Sequence, residues 1–185
     1  AKKKKMSLDY IRVTLPALYP YVMLAAGTIS FQCLLIGFGA GGKRGEYFTK
    51  NEQIKEKYNE EHQKNFKTDV PKGGYPDHGD GLYGDLLSYE QWYNFSLDQR
   101  GHKNFLEQVT IIVFCLMTIG LVFPIVSLVC AGIHFVCRWI FVCGYKKGPN
   151  WRLIGGLPLN VTTIVMLVMS IVSASIFIGN IPKVE

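Results

Sequence analysis

The stretch RGHKNFLEQVTIIVFCLMTIGLVFP, residues 100–124, passes from charged to wholly apolar and ends on a proline. As an α-helix, its apolar part from Val109 to Phe123 rises only about 22 Å, whereas the hydrocarbon core of a bilayer is roughly 30 Å thick. A helix crossing that core must begin upstream and carry Arg100, Asn104 and Glu107 to the membrane edge or inside it. Steps of four and then three residues return nearly to the starting angle at ~100° per residue. A guanidinium, an amide and a carboxylate therefore share one stripe. A snorkelling arginine paired with Glu107 along its own helix would also account for them. Ionisable groups at this depth more often mark a site, so the stripe reads as a polar pocket facing other helices.

Three long intervals lack any charge: Arg12 to Lys43, Glu107 to Arg138, and Arg152 to Lys183. Each exceeds the ~20 residues a spanning helix needs. The middle interval holds two spans, because Pro124 ends or kinks a helix and makes Val122-Phe123-Pro124 a tight hairpin. The expected fold is an all-α integral membrane protein, a single domain over 1–185. Its four-transmembrane-helix bundle has helices near 14–41, 92–122, 125–146 and 156–180 and a long polar loop, 42–91, between the first two.

Cys33, Cys115, Cys130, Cys137 and Cys143 all lie inside apolar spans, which argues against a disulfide framework and for small packing residues. The net charge of +6 belongs mostly to juxtamembrane lysines, so it signals orientation and anionic lipid contact rather than nucleic acid. The basic loops after the first and third spans favour the cytosol or matrix side, although the AKKKK start pulls the other way. No cleavable signal is evident; the first span reads as a retained anchor.

In the loop, the charged run Lys50 to Lys67 predicts a short surface helix, and Lys72-Gly-Gly-Tyr-Pro-Asp-His-Gly-Asp-Gly predicts irregular turns. Asp77, His78, Asp80 and Asp85 lack the alternation of oxygen ligands and the terminal glutamate of a calcium loop, so turn chemistry is expected and no metal. Asn94-Phe-Ser96 and Asn160-Val-Thr162 match a glycosylation pattern but fall at helix starts against the membrane and are taken as chance. Gly155, Gly156 and Pro158 are expected to form the opening turn of the last helix. Its Ser and Thr residues then favour close packing in lipid.

The third span ends in a second polar stripe, Arg138 and Tyr145, seven residues apart and close to one face. Trp151-Arg152 then opens the fourth helix, with Arg152 at the membrane surface beside that stripe. Here the sequence resembles the MAPEG family, the membrane-associated proteins in eicosanoid and glutathione metabolism. Asp98-Gln-Arg-Gly-His-Lys-Asn-Phe-Leu-Glu107 resembles the family's second-helix signature, and Arg138 through Gly144-Tyr145 its third-helix signature. Gly74-Tyr-Pro-Asp77 and Tyr89-Glu-Gln-Trp-Tyr-Asn-Phe95 are similar to loops of microbial members, as in a divergent microbial or protist-type glutathione transferase.

The resemblance implies homotrimers of four-helix protomers with glutathione bound between subunits. It implies that Arg100, Asn104, Glu107, Arg138 and Tyr145 hold the tripeptide, that Lys43 and Arg44 contribute from a neighbouring subunit, and that Arg152 lies beside the sulfur. The chemistry agrees: glutathione carries two carboxylates, an ammonium and a thiol, which call for arginines, an acid and amides. A guanidinium in a low-dielectric pocket favours the thiolate over a thiol whose free pKa is near 8.5. The expected activity is a membrane-bound glutathione transferase or peroxidase acting on a lipophilic electrophile, in the endoplasmic reticulum or a mitochondrial membrane.

Three features depart from the family pattern: Phe141 stands where many members have tyrosine, Gln108 where relatives often have an aromatic residue, and the loop from Gly42 to Glu90 is much longer than in the short members. They keep open the alternative of a non-catalytic scaffold or an accessory subunit of a larger membrane complex docked through the loop 42–90. A transporter or channel is disfavoured, because the polar residues cluster at one side instead of running through the membrane.

Overall fold

The computed structural model describes residues 15–48, 52–148 and 150–179. The elements are α1 (Tyr19–Phe48), α2 (Glu52–Phe66), α3 (Tyr89–Gly120), α4 (Pro124–Lys147) and α5 (Arg152–Gly179), with short 3-10 turns at Lys72–Gly74 and Gly84–Leu86. Strands are absent among the described residues. α1, α3, α4 and α5 are each long and apolar enough to cross a membrane.

Their limits follow from local chemistry. Helix α3 begins earlier than expected because Ser88 and Gln91 form a reciprocal capping box, each side chain bonding the other's backbone N–H at 3.3 and 3.1 Å. Between α3 and α4 the chain reverses at Leu121–Phe123, with the Phe123 N–H donating to the Ile119 carbonyl at 2.7 Å and Pro124 in the first turn of α4. Helix α1 runs on to Phe48, past the expected end at 41, so Lys43 and Arg44 are helical rather than part of a loop. The expected start at residue 14 lies outside the described residues.

Helix α5 corrects the sequence reading most clearly. Gly155, Gly156 and Pro158 do not form an opening turn; they lie within a helix that already begins at Arg152. The glycines serve packing instead. A Cβ on Gly155 would collide with the backbone of α4 at the Phe141 nitrogen and, at 2.7 Å, the Cys137 carbonyl oxygen, so only glycine lets the two helices approach this closely.

The core joins Ile29, Cys33 and Ile36 of α1 to Phe105, Ile112, Leu116 and Ile119 of α3, with Cys130 and Ala131 of α4 and Met166 of α5. Two side chains stitch helices together where lipid offers no alternative partner. The Ser127 hydroxyl donates to the Leu116 carbonyl at 2.8 Å and the Gln32 amide to the Phe135 carbonyl at 2.8 Å. Large apolar side chains such as Leu24, Phe31, Phe38, Phe114 and Ile171 face outward, as a membrane solvent requires. All five cysteines are free thiols, and Cys33, Cys115 and Cys130 are buried packing residues.

The insert between α1 and α3 is folded onto the end of the bundle. Ile54 of α2 and Leu87 bury against Phe48 of α1 and Phe95 of α3, with Tyr47, Tyr58, Val70 and Tyr83 around them. The Asp69 carboxylate accepts from the Asn59 and Gln63 amides at 3.1 and 2.6 Å, and those two bonds hold its carboxyl below the usual carboxylate range. This ties the exit of α2 back to the helix. The expected surface helix followed by turns is therefore present, and it is anchored at both ends.

Candidate functional site

One turn of the insert and one face of α3 enclose a polar cleft of about 570 Å³. On the α3 side its wall carries Trp92, Tyr93, Ser96, Gln99, Arg100, Lys103, Asn104 and Glu107, and α4 adds Tyr145. The expected stripe Arg100, Asn104 and Glu107 thus lies in one cavity, with Arg100 and Glu107 exposed and Asn104 half-buried. Neither Arg100 nor Glu107 forms an ion pair with another described residue, which removes the alternative of a pair along the helix. The neighbouring ion pair is Lys146 with Asp98, at 3.1 Å, joining α4 to α3 beside the cleft.

Arg138 takes a different position from the one expected. It is fully buried between helices and does not line the cleft. Its Nη1 donates to the Asn104 Oδ1 at 2.9 Å and its Nη2 to the Gln108 Oε1 at 2.6 Å. The guanidinium lies over the Phe105 ring at 4.3 Å and the Phe141 ring at 5.4 Å. With no carboxylate partner among the described residues, this buried charge is held by neutral acceptors and π faces alone, and its Nε has no partner. Arg138 therefore fixes the orientation of Asn104 from behind, leaving the amide NH₂ of Asn104 free to donate into the cleft.

The two single-residue departures from the family pattern, Gln108 and Phe141, belong to the same cluster. Gln108 supplies the second acceptor for Arg138. Phe141 lies under Arg138 and meets Tyr145 edge to face at 5.0 Å, filling space against Gly156. Neither feature is readable from helical spacing, because each depends on which residue of α4 lies opposite which residue of α3.

Arg152 stands at the start of α5, where its Nη1 donates to the Tyr145 hydroxyl at 2.9 Å. A second cavity of about 240 Å³ opens beside it, lined by Asn104, Gln108, Phe141, Tyr145 and Arg152 together with Leu153, Leu157 and Leu159. Asn104 and Tyr145 line both cavities, so a ligand lying along the α3 stripe and a group beside Arg152 would be separated by only these two side chains.

Neither Lys43 nor Arg44 lines this cleft in the protomer described, although the Arg44 Nη2 lies 3.5 Å from the Nδ1 of His78, which does. Lys43 pairs with Glu46 at 2.6 Å. Arg44 ties the insert to α1: its Nη1 donates to the Gly74 carbonyl at 3.3 Å, and its guanidinium lies over the Tyr75 ring at 5.6 Å.

The insert supplies the cleft residues that the sequence reading missed: His78, Gly79 and Asp80. The turn is built around Asp77, whose carboxylate accepts four backbone N–H bonds, from Gly79 (2.6 Å), Gly81 (3.1 Å), Tyr83 (2.7 Å) and Gly84 (2.9 Å). Burial opposes the charge on Asp77, yet those four amides hold its carboxyl below the usual carboxylate range. Gly79, at φ +97°, lies against the ring of buried Phe95, where a Cβ would come within 2.7 Å. The expected turn chemistry is present at Asp77, and the turn doubles as a wall of the cleft.

The family profile described as the MAPEG family matches residues 17–172, and the chain belongs to that family. No curated protein matches the chain. The membership and the four apolar helices together make it an integral, multi-pass membrane protein of the glutathione and eicosanoid-metabolism type.

Proposed function

We propose that this MAPEG-family chain binds glutathione along the α3 stripe and transfers its thiolate to a lipophilic electrophile or hydroperoxide. The observation that carries the reading is the gathering of Arg100, Asn104, Glu107 and Tyr145 in one cleft, with Arg152 bonded to the shared Tyr145. Arg100 and Glu107 are seven residues apart, about 10 Å along the helix. An extended tripeptide reaches about the same length, with charged groups at both ends. Arg100 and Lys103 suit its carboxylates, Glu107 its ammonium, and the free amide of Asn104 its peptide groups.

The thiol of the central cysteine would then lie near Asn104 and Tyr145, on the side facing Arg152. Arg152 is the residue assigned to hold the sulfur as thiolate, each unit of lowered thiol pKa corresponding to about 1.4 kcal/mol of preferential binding. The leucine-lined cavity beside Arg152 suits an apolar electrophile arriving from lipid. In keeping with the family, the whole chain acts as one membrane domain, assembled as a homotrimer in the endoplasmic reticulum or a mitochondrial membrane, where Lys43 and Arg44 face a neighbouring subunit.

Replacing Arg152 by Gln tests the assignment. Turnover with glutathione and chlorodinitrobenzene should fall by at least about tenfold while glutathione affinity changes little, since the thiolate loses its partner whereas Arg100, Asn104 and Glu107 still hold the tripeptide. Unchanged turnover removes Arg152 from the chemistry. A second reading, an accessory subunit without activity, draws on the insert: α2 is a folded, largely exposed helix anchored to the bundle and leaves a surface for another protein. A folded protein that binds no glutathione favours it.

A further inference from the structure

The bond between Gln108 and Arg138 accounts for only one end of the Gln108 amide. Its Oε1 accepts from the Arg138 Nη2 at 2.6 Å, and a guanidinium can only donate, so the amide is held with its oxygen towards Arg138 and its NH₂ turned away. That NH₂ donates to no described residue. Gln108 is half-buried and lines the cavity of about 240 Å³ that also holds Tyr145 and Arg152, so the unused N–H groups open onto the space beside the arginine assigned to the sulfur.

The orienting group is itself fixed: Arg138 is fully buried and its other arm is bonded to Asn104 at 2.9 Å. A cationic donor on the amide oxygen polarises the amide and strengthens its N–H groups as donors. Leu153 and Leu157, on the wall of the same cavity, are exposed where lipid would lie. An apolar substrate entering past them would meet Arg152 and a preset N–H donor in one small chamber.

A donor fixed in advance stabilises negative charge that develops on oxygen in the transition state. An amide N–H is too weak an acid to give up its proton, so it does not serve a leaving alkoxide that must be protonated as its bond breaks, as in epoxide opening or hydroperoxide cleavage. It suits an oxygen whose charge is delocalised, as on the carbonyl of an α,β-unsaturated aldehyde or ketone.

Given glutathione along the α3 stripe with its sulfur beside Arg152, on which this inference rests, we propose that Gln108 is a catalytic residue whose NH₂ donates to the carbonyl oxygen of an α,β-unsaturated aldehyde or ketone. Such conjugated carbonyls are the electrophile class this chain prefers. The thiolate attacks the β-carbon and the C–S bond forms, while the electron pair of the C=C bond moves through the α-carbon onto the carbonyl oxygen, giving an enolate held by Gln108. The α-carbon then takes a proton from water, replacing the one lost when the thiol ionised.

The experiment measures kcat/KM with glutathione in the detergent-purified protein for trans-2-nonenal, which passes through an enolate, and for benzyl chloride, whose displacement puts charge on chloride and none on oxygen. Relative to the reaction of free glutathione thiolate with each compound, the wild-type acceleration should be at least about tenfold greater for nonenal. Gln108→Glu keeps an oxygen on Arg138 but removes the NH₂. Its ratio of nonenal to benzyl chloride turnover should fall about a hundredfold, because any effect of the new carboxylate on the thiolate is shared by both reactions and cancels. The wild-type comparison decides the matter even where the variant does not fold. Equal accelerations in the wild type, or an unchanged ratio in Gln108→Glu, would overturn the role of Gln108, while turnover of benzyl chloride leaves the glutathione reading standing. Turnover of neither compound overturns both.

Discussion

Substituting Gly155 by Ala couples the packing of the bundle to its chemistry. The new Cβ would meet the Phe141 backbone nitrogen, and it would lie 2.7 Å from the Cys137 carbonyl oxygen, where ordinary contact begins near 3.4 Å. Both obstacles are backbone of α4, so no side chain can swing away, and relief of the Cys137 contact alone requires α5 to retreat by at least roughly 0.7 Å. Arg152 lies one turn away on the same helix, and its bond to the Tyr145 hydroxyl starts at 2.9 Å. A retreat of at least that size, directed along the bond, stretches it to about 3.6 Å or more, beyond hydrogen-bond range.

Overpacking of this kind costs about 1–3 kcal/mol of stability. The stripe on α3 is untouched, so glutathione affinity should hold. Turnover should fall by about ten- to a hundredfold, since displacements near 1 Å carry penalties of that order. Gly156→Ala is the matched control, because its Cβ would touch only the Phe141 ring, at 3.2 Å, which can give by a few tenths of an ångström. Calorimetry for affinity, thermal unfolding in detergent for stability and conjugation rate for turnover separate the three effects. Full turnover in a Gly155→Ala protein of reduced stability would refute the claim that the placement of Arg152 on Tyr145 governs the chemistry.

Two further outcomes follow from the same geometry. Arg138→Lys keeps the charge but loses the fork that holds Asn104 and Gln108 together; glutathione affinity should drop by about tenfold, and unchanged affinity by calorimetry would show that Asn104 needs no support from behind. The Asp77 turn should be acid-sensitive. Its carboxyl is held below the ordinary range, so its contribution is complete above the free value near ~4 and is lost as pH falls through the lower folded value. Amide NMR shifts of Gly79 and Gly84 should therefore stay fixed from neutral pH down to ~4 and move only below it; a change centred above ~4 would contradict the four-bond hub.

Much of this architecture is legible in the chain because a bilayer imposes strong patterns. Charge-free intervals set the number of spans, and the spacing of Arg100, Asn104 and Glu107 placed them on one face of one helix. The same stripe extends upstream through Tyr93 and Ser96 at helical spacing, a signal available in the sequence but unused. What spacing alone leaves open is which groups oppose each other across helices. Arg138 looked like a ligand contact because arginine suits carboxylates; its burial behind Asn104 depends on the register between α3 and α4. Gly155 and Gly156 read as a turn because glycine permits both turns and close helix approach, and only the neighbouring backbone of α4 distinguishes the two. The cleft residues His78 and Asp80 were hidden for a related reason: local sequence explains the Asp77 turn, but its place against Phe95 is a tertiary contact.

The most direct test of the account is calorimetric titration of glutathione into the detergent-purified protein beside an Arg100→Ala variant, with the thiolate followed by ultraviolet absorbance. Saturable binding that produces thiolate is expected in the wild type, weakened at least about tenfold by the substitution. A folded protein that binds no glutathione, or binds it equally well without Arg100, would contradict it.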